Sequence, residues 1–120
     1  VFTNKYPGTA SVKANTEVTA LVADHPDQLF LINCTAGMTQ ADVFANANFA
    51  TCLTGNDSSG LSLAELDQST LGTQAAKNLG IVGFEDSPSN SDTASAGMLA
   101  IVRLNNHFYR YNANGTGAGI

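Results

Sequence analysis

The chain has 120 residues and a net charge of −5, and only 12% of its residues are charged, about half of the roughly 25% usual in a globular domain. That length accommodates one hydrophobic core of ordinary size and not two. The basic residues Lys5, Lys13, Lys77, Arg103 and Arg110 are scattered, which argues against a nucleic-acid partner, and no apolar run approaches the roughly 18 residues of a membrane span.

In chain order, an amino-terminal segment, residues 1–15, comes first. Because the chain opens on Val1, this segment is expected to be extended and preceded by further residues. A β-rich domain is expected over 16–111. In "EVTALVAD" Val18, Ala20 and Val22 fall on one face, and in "DQLFLINC" Phe30, Ile32 and Cys34 oppose Leu29 and Leu31, so both stretches predict strands. Between them "DHPD" places Pro26 at the second position of a turn and Asp27 at the third, predicting a hairpin. "TAGMTQADVFANAN" breaks the period of two. Thr39 and Asp42 have capping-box spacing, and "QADVFANA" predicts a short helical turn or two.

Strand character returns in "NFATCL", and "TGNDSSG" then predicts an exposed loop. "LSLAELD" fits an imperfect strand or a short helix. "STLGTQAAK" predicts a polar connection with a helical turn at Gln74–Lys77, and "NLGIVGFED" a strand whose Gly80 and Gly83 mark a bulge or a close backbone approach. "SPSNSDTASAG" predicts the longest loop. "MLAIVRLNNHFYRY" carries the strongest strand, with Met98, Ala100, Val102 and Leu104 opposite Leu99, Ile101 and Arg103. The tail, residues 112–120, has too few large apolar side chains to fold alone and is expected to be a strap or a flexible end. About six or seven short strands with polar loops predict an all-β barrel or sandwich with extended termini.

Candidate chemistry is sparse. Asp24 and His25 would point to opposite faces in a strand and into solvent in a turn. No GxSxG elbow singles out a serine, and the pairs Glu65/Asp67 and Glu85/Asp86 lack a calcium-ligand run. Cys34 and Cys52 read as two buried thiols or as a disulfide between neighbouring strands. Neither His25 nor His107 has zinc-type spacing to them. The sequons at Asn33, Asn56 and Asn114 arise easily in a chain rich in Asn and Thr. No catalytic residue, metal or cofactor is expected. The cluster His107, Phe108, Tyr109, Arg110 and Tyr111 fits either an interface anchor or a cover for one end of the barrel.

The stretches "LVADHPDQLFLIN", "ADVFANANFATCLTGNDSSGLSLAELDQSTLGTQAAKNLGIVGF" and "MLAIVRLNNHFY" together resemble a family of capsid decoration, or cement, proteins from tailed bacteriophages of aquatic bacteria, over roughly residues 18 to 110. The resemblance implies a virion protein without enzymatic activity, assembled in the host bacterial cytoplasm. It would bind the major capsid protein on the outside of the icosahedral head and stabilise the shell as a homotrimer. Decoration proteins of that family are generally longer at the amino end. On this reading the shell contacts fall to the termini and the aromatic cluster, namely Phe2, Tyr6, His107, Phe108, Tyr109, Arg110, Tyr111 and Ile120. The alternative is a tail- or fibre-associated module, or a secreted adhesin-like one, that binds a host glycan through the loops at 54–60 and 86–97. Of aromatic residues, only Phe84 borders those loops.

Overall fold

The structure, a computed structural model, describes residues 17–51, 55–56, 58–74 and 76–107. It is all-β. Strands β1 (Leu29–Cys34), β2 (Asn46–Thr51), β5 (Glu65–Gly72), β6 (Leu79–Phe84) and β7 (Leu99–Leu104) form a closed barrel in the order β1-β5-β2-β6-β7, with β7 returning to β1. A minute hairpin, β3 (Gly55–Asn56) with β4 (Leu61–Ser62), joins the predicted exposed loop to the start of "LSLAELD", and its four strand residues are exposed. Every pairing in the barrel is antiparallel except β1 with β5, which is parallel and spans only Asn33↔Glu65 and Cys34↔Leu66.

Period-two alternation decides which side chains fill the barrel. Ile32 and Cys34 from β1, Ala47 from β2, Leu66 from β5, Leu79 and Ile81 from β6, and Ala100 and Val102 from β7 are buried, with Met38 and Met98 closing over them. Each large aliphatic side chain buried in this way contributes about 1.5–3 kcal/mol. The segment "LSLAELD" is thus resolved as strand: Leu66 is fully buried, while Leu61 and Leu63 upstream stay exposed. Ser69–Gly72, expected as connection, extends β5 instead. The reason is local to β2, whose Asn48 N–H is bonded by Thr70 Oγ1 and whose Asn46 lies opposite Gly72.

Both glycines of β6 do what their positions predict. The register shifts between Ile81 and Gly83, a bulge, and a Cβ on Gly80 would stand 2.7 Å from Asn105 Oδ1. That contact belongs to a set of amides at one end of the barrel. Asn105 Nδ2 donates to Asn46 Oδ1 (2.8 Å) and to the Lys77 carbonyl (3.0 Å), and the Asn78 N–H donates to Asn48 Oδ1 (3.3 Å). Uncharged amides can both donate and accept, so they bond strand ends to one another with no charge to desolvate.

The helical prediction reduces to one turn of 3₁₀ helix at Gln40–Asp42, where the Asp42 carboxylate accepts the Thr39 N–H (2.7 Å) and hydroxyl (3.0 Å). Gln74–Lys77 likewise closes a single turn, the Lys77 N–H donating to the Gln74 carbonyl.

Two expectations at the amino side need correction. Residues 17–25 form no strand, and all but Pro26 of residues 17–28 are exposed. The turn itself exists, with the Gln28 N–H donating to the His25 carbonyl (3.1 Å) and the Asp27 N–H to His25 Nδ1 (3.1 Å). It does not make a hairpin. Two-residue hairpin loops need positive φ at their first central position, and proline is fixed near −65°. With Pro26 there, the two limbs do not pair.

The long loop between β6 and β7 is ordered by one side chain. Pro88–Asn90 form a single 3₁₀ turn, and Asn90, although polar, is buried. Its amide Nδ2 donates to the carbonyls of Glu85 (2.7 Å) and Leu99 (3.0 Å), and its Oδ1 accepts the Leu99 N–H (2.8 Å). Further along, the Met38 N–H donates to the Thr93 carbonyl (2.7 Å) and the Gly97 N–H to the Cys34 carbonyl (2.8 Å). Asn90→Ala leaves these backbone groups unpaired and is expected to lower the unfolding free energy by about 2–4 kcal/mol in urea titration. Asn90→Asp, which sets an acceptor against two carbonyls, is expected to cost at least as much.

Candidate functional site

The barrel is not sealed on all sides. Because β5 meets β1 only at Asn33 and Cys34, the first half of β1 has β7 on one flank and no strand on the other among the described residues. Between that flank and residues 62–64 lies a cleft of about 410 Å³. Phe30, Ile32, Phe49, Leu79, Val102 and Leu104 give it an apolar lining. On the outer face of the same strand Leu29 and Leu31 are 47% and 59% exposed, and Leu31 lies opposite Ile101 of β7. Ser62 and Ala64 line the cleft from the other side, and their chain neighbours Leu61 and Leu63 are exposed.

A second apolar feature escaped sequence reasoning. Phe44, between the 3₁₀ turn and β2, has φ of 70° and its side chain is 82% exposed. Left-handed backbone costs a non-glycine residue about 1–2 kcal/mol. The backbone is held there by its hydrogen bonds, with the Phe44 N–H donating to the Ile81 carbonyl (2.9 Å) and the Ile81 N–H to the Ala45 carbonyl (3.0 Å). A strained backbone that presents a large aromatic to solvent marks Phe44 as a candidate contact residue. Nothing in "DVFAN" signals it, because phenylalanine is a poor left-handed residue and reads as strand or helix.

Of the residues expected to bind a partner, Phe2, Tyr6, Phe108, Tyr109, Arg110, Tyr111 and Ile120 lie outside the described residues. His107 is half-buried just beyond β7. His107 is not among the residues that line the cleft.

The polar side chains serve local geometry. His25 is exposed and its Nδ1 accepts within the turn, so the proton of the neutral ring sits on Nε2. Asp67 accepts the N–H (3.0 Å) and hydroxyl (2.6 Å) of Ser69, Glu85 the hydroxyl of Ser87 (2.6 Å), and Asp92 the Ala94 N–H (3.1 Å) and the Ser95 hydroxyl (2.6 Å). Asn56 Oδ1 likewise accepts the N–H groups of Ser58 and Ser59. Among the described residues no group of three or more His, Cys, Asp or Glu side chains is gathered to hold a metal ion. A shallow depression beside the long loop, lined by Phe84, Glu85, Asp86, Ser87 and Thr93 among others, is more polar than the cleft.

Cys34 is a free, buried thiol, and Cys52 lies outside the described residues. Burial, opposed by a backbone hydrogen bond at Ala100 and reinforced by the nearby Glu65 carboxylate, pushes the Cys34 thiol up to about 11. The folded state therefore holds this proton through a pH range in which the unfolded chain, with a thiol near 8.5, releases it. Stability from this source is complete below about pH 8.5 and is lost as pH rises to about 11, by roughly 2–3 kcal/mol. The difference in unfolding free energy between wild type and Cys34→Ala, measured from pH 7 to 11, is expected to shrink over that window. Native Cys34 is also expected to resist iodoacetamide at neutral pH until the chain unfolds.

No family model, no curated protein and no solved structure matches this chain.

Proposed function

We propose that this protein is a non-enzymatic structural component of a phage particle, bound to the outer surface of an icosahedral capsid and stabilising the shell. The observation that carries the reading is the apolar surface left on a small closed barrel: Leu29, Leu31, Phe44, Leu61 and Leu63 are all exposed. Exposed apolar area on this scale favours a partner that covers it. The sparsely charged, amide-rich exterior suits a molecule packed against neighbours, where repulsion between like charges would oppose a dense lattice. The sequence resemblance supplies the particular partner, the major capsid protein, and the trimeric arrangement on the shell. Many weak, symmetry-related contacts would add up to mechanical reinforcement.

The second reading, a tail- or fibre-associated or secreted adhesin-like module that binds host glycan, draws on the depression beside the 86–97 loop. There Phe84 offers a ring for a sugar to stack on, and Glu85, Asp86 and Ser87 offer polar groups to sugar hydroxyls.

The test is the copy number of this chain per major capsid protein in purified native particles, measured by quantitative mass spectrometry. A ratio near unity is expected. A few copies per particle would transfer the protein to the tail, and absence from particles would overturn the reading. A substitution probes the surface directly. Phe44→Gly relieves the left-handed strain, offset by about 0.5–1 kcal/mol of added backbone freedom in the unfolded chain. It is expected to raise the unfolding free energy by about 0.5–1 kcal/mol while weakening binding to undecorated capsids. Unchanged capsid affinity would remove Phe44 from the interface.

A further inference from the structure

The flank of β1 that β5 leaves uncovered has backbone groups to offer. The Cys34 N–H donates to the Met98 carbonyl and its own carbonyl accepts the Gly97 N–H, so Cys34 directs both groups toward β7. Backbone direction alternates along a strand. Ile32 and Phe30 therefore also face β7, and Leu31 and Leu29 direct their N–H and C=O toward the open flank. The Leu29 carbonyl fits this arrangement locally: it accepts the side-chain amide N–H of Gln28, at 3.0 Å. An open strand flank beside an apolar cleft is a template for one more strand.

The same chain contains a segment suited to that place. Residues 18–23, "VTALVA", alternate as a strand does yet pair with no strand among the described residues. Leu21 and Val22 are 89% and 75% exposed. β-branched and aliphatic residues in such a run gain most when both backbone and side chains are covered. Folding back onto β1 of its own chain would bring the segment to the open flank, but the Pro26 turn forbids the tight hairpin that this requires.

From these two features we propose that residues 18–23 of one copy add as a strand to the open flank of β1, along Leu29–Ile32, in a second copy of the same chain. One face of the added strand enters the cleft over Phe30, Ile32 and Phe49, and the other extends the outer row of Leu29 and Leu31. Exchange of arms between two copies, or head-to-tail addition around a ring, each satisfies every flank. The contact stands on the barrel's own geometry and is independent of any capsid binding.

The experiment uses the full chain in sedimentation velocity over a range of concentrations. Wild type is expected to sediment as a closed oligomer. Leu21→Lys combined with Val22→Lys places charge on both faces of the arm, away from the core, and is expected to weaken association by at least about tenfold. Leu31→Pro deletes an N–H that faces the open flank, so the β7 ladder keeps all its donors, and it is expected to weaken association to the same degree. Mixed in equal amounts, the two variants should associate, since one supplies an intact flank and the other an intact arm. This recovery distinguishes a lost contact from a lost fold. Wild type that stays monomeric at every concentration would overturn the proposal. So would an oligomer indifferent to the arm substitutions, or a mixture that fails to associate although both variants retain wild-type near-ultraviolet circular dichroism.

Discussion

A ring of five strands closes only if its first and last members can both be satisfied, and here closure depends on two residues. Asn33 and Cys34 of β1 meet Glu65 and Leu66 of β5 in the one parallel pairing of the barrel. Everything around this seam follows from its shortness. Leu66 can enter the core because the seam brings β5 inward at that point. Cys34 is buried because β5, β7 and the loop from Met98 all converge on it. Upstream of the seam the two strands part, and the cleft is the space they leave.

The seam also sets the job of the loops. Parallel neighbours cannot be joined by a tight turn, so the chain must travel from β1 through β2 before it returns as β5. The Thr39–Asp42 turn and the β3–β4 hairpin are stations on that route. Packed against its first part, the loop after β6 is held by backbone bonds at Met38 and Gly97 and by the buried amide of Asn90. At Gly37 the approach is so close that a Cβ would overlap the Ala94 carbonyl. Every buried side-chain nitrogen or oxygen among the described residues has a partner, so the interior is well specified while several large apolar side chains stand exposed at the surface.

Much of this architecture is legible in the sequence because period-two alternation is a direct record of which face is buried. "LFLINC" and "MLAIVRL" are strands with the buried faces that alternation assigns, "NLGIVGF" is a strand as expected, and its glycines mark its bulge and its close approach. Alternation fails where burial and strand formation separate. "EVTALVAD" alternates equally well and forms no strand, because pairing is a property of the neighbour and the Pro26 turn takes the segment away from the nearest one. "STLG" lacks alternating apolar residues and is nevertheless strand, held by backbone and hydroxyl partners on β2. The candidate surface was least legible of all. Whether Leu31 or Phe44 is covered depends on the ring order and on a single backbone torsion, and neither is written in composition or spacing.

The state of Cys34 bears on where this barrel can be made. With its proton held up to about 11, the fraction ionised at pH 7 is ~10⁻⁴, and ionisation is the first step of any exchange with another sulfur. The sulfur at the centre of the seam is thus withdrawn from redox chemistry for as long as the barrel stays closed. Glutathione in a reducing cell and oxygen outside it meet the same buried, protonated sulfur.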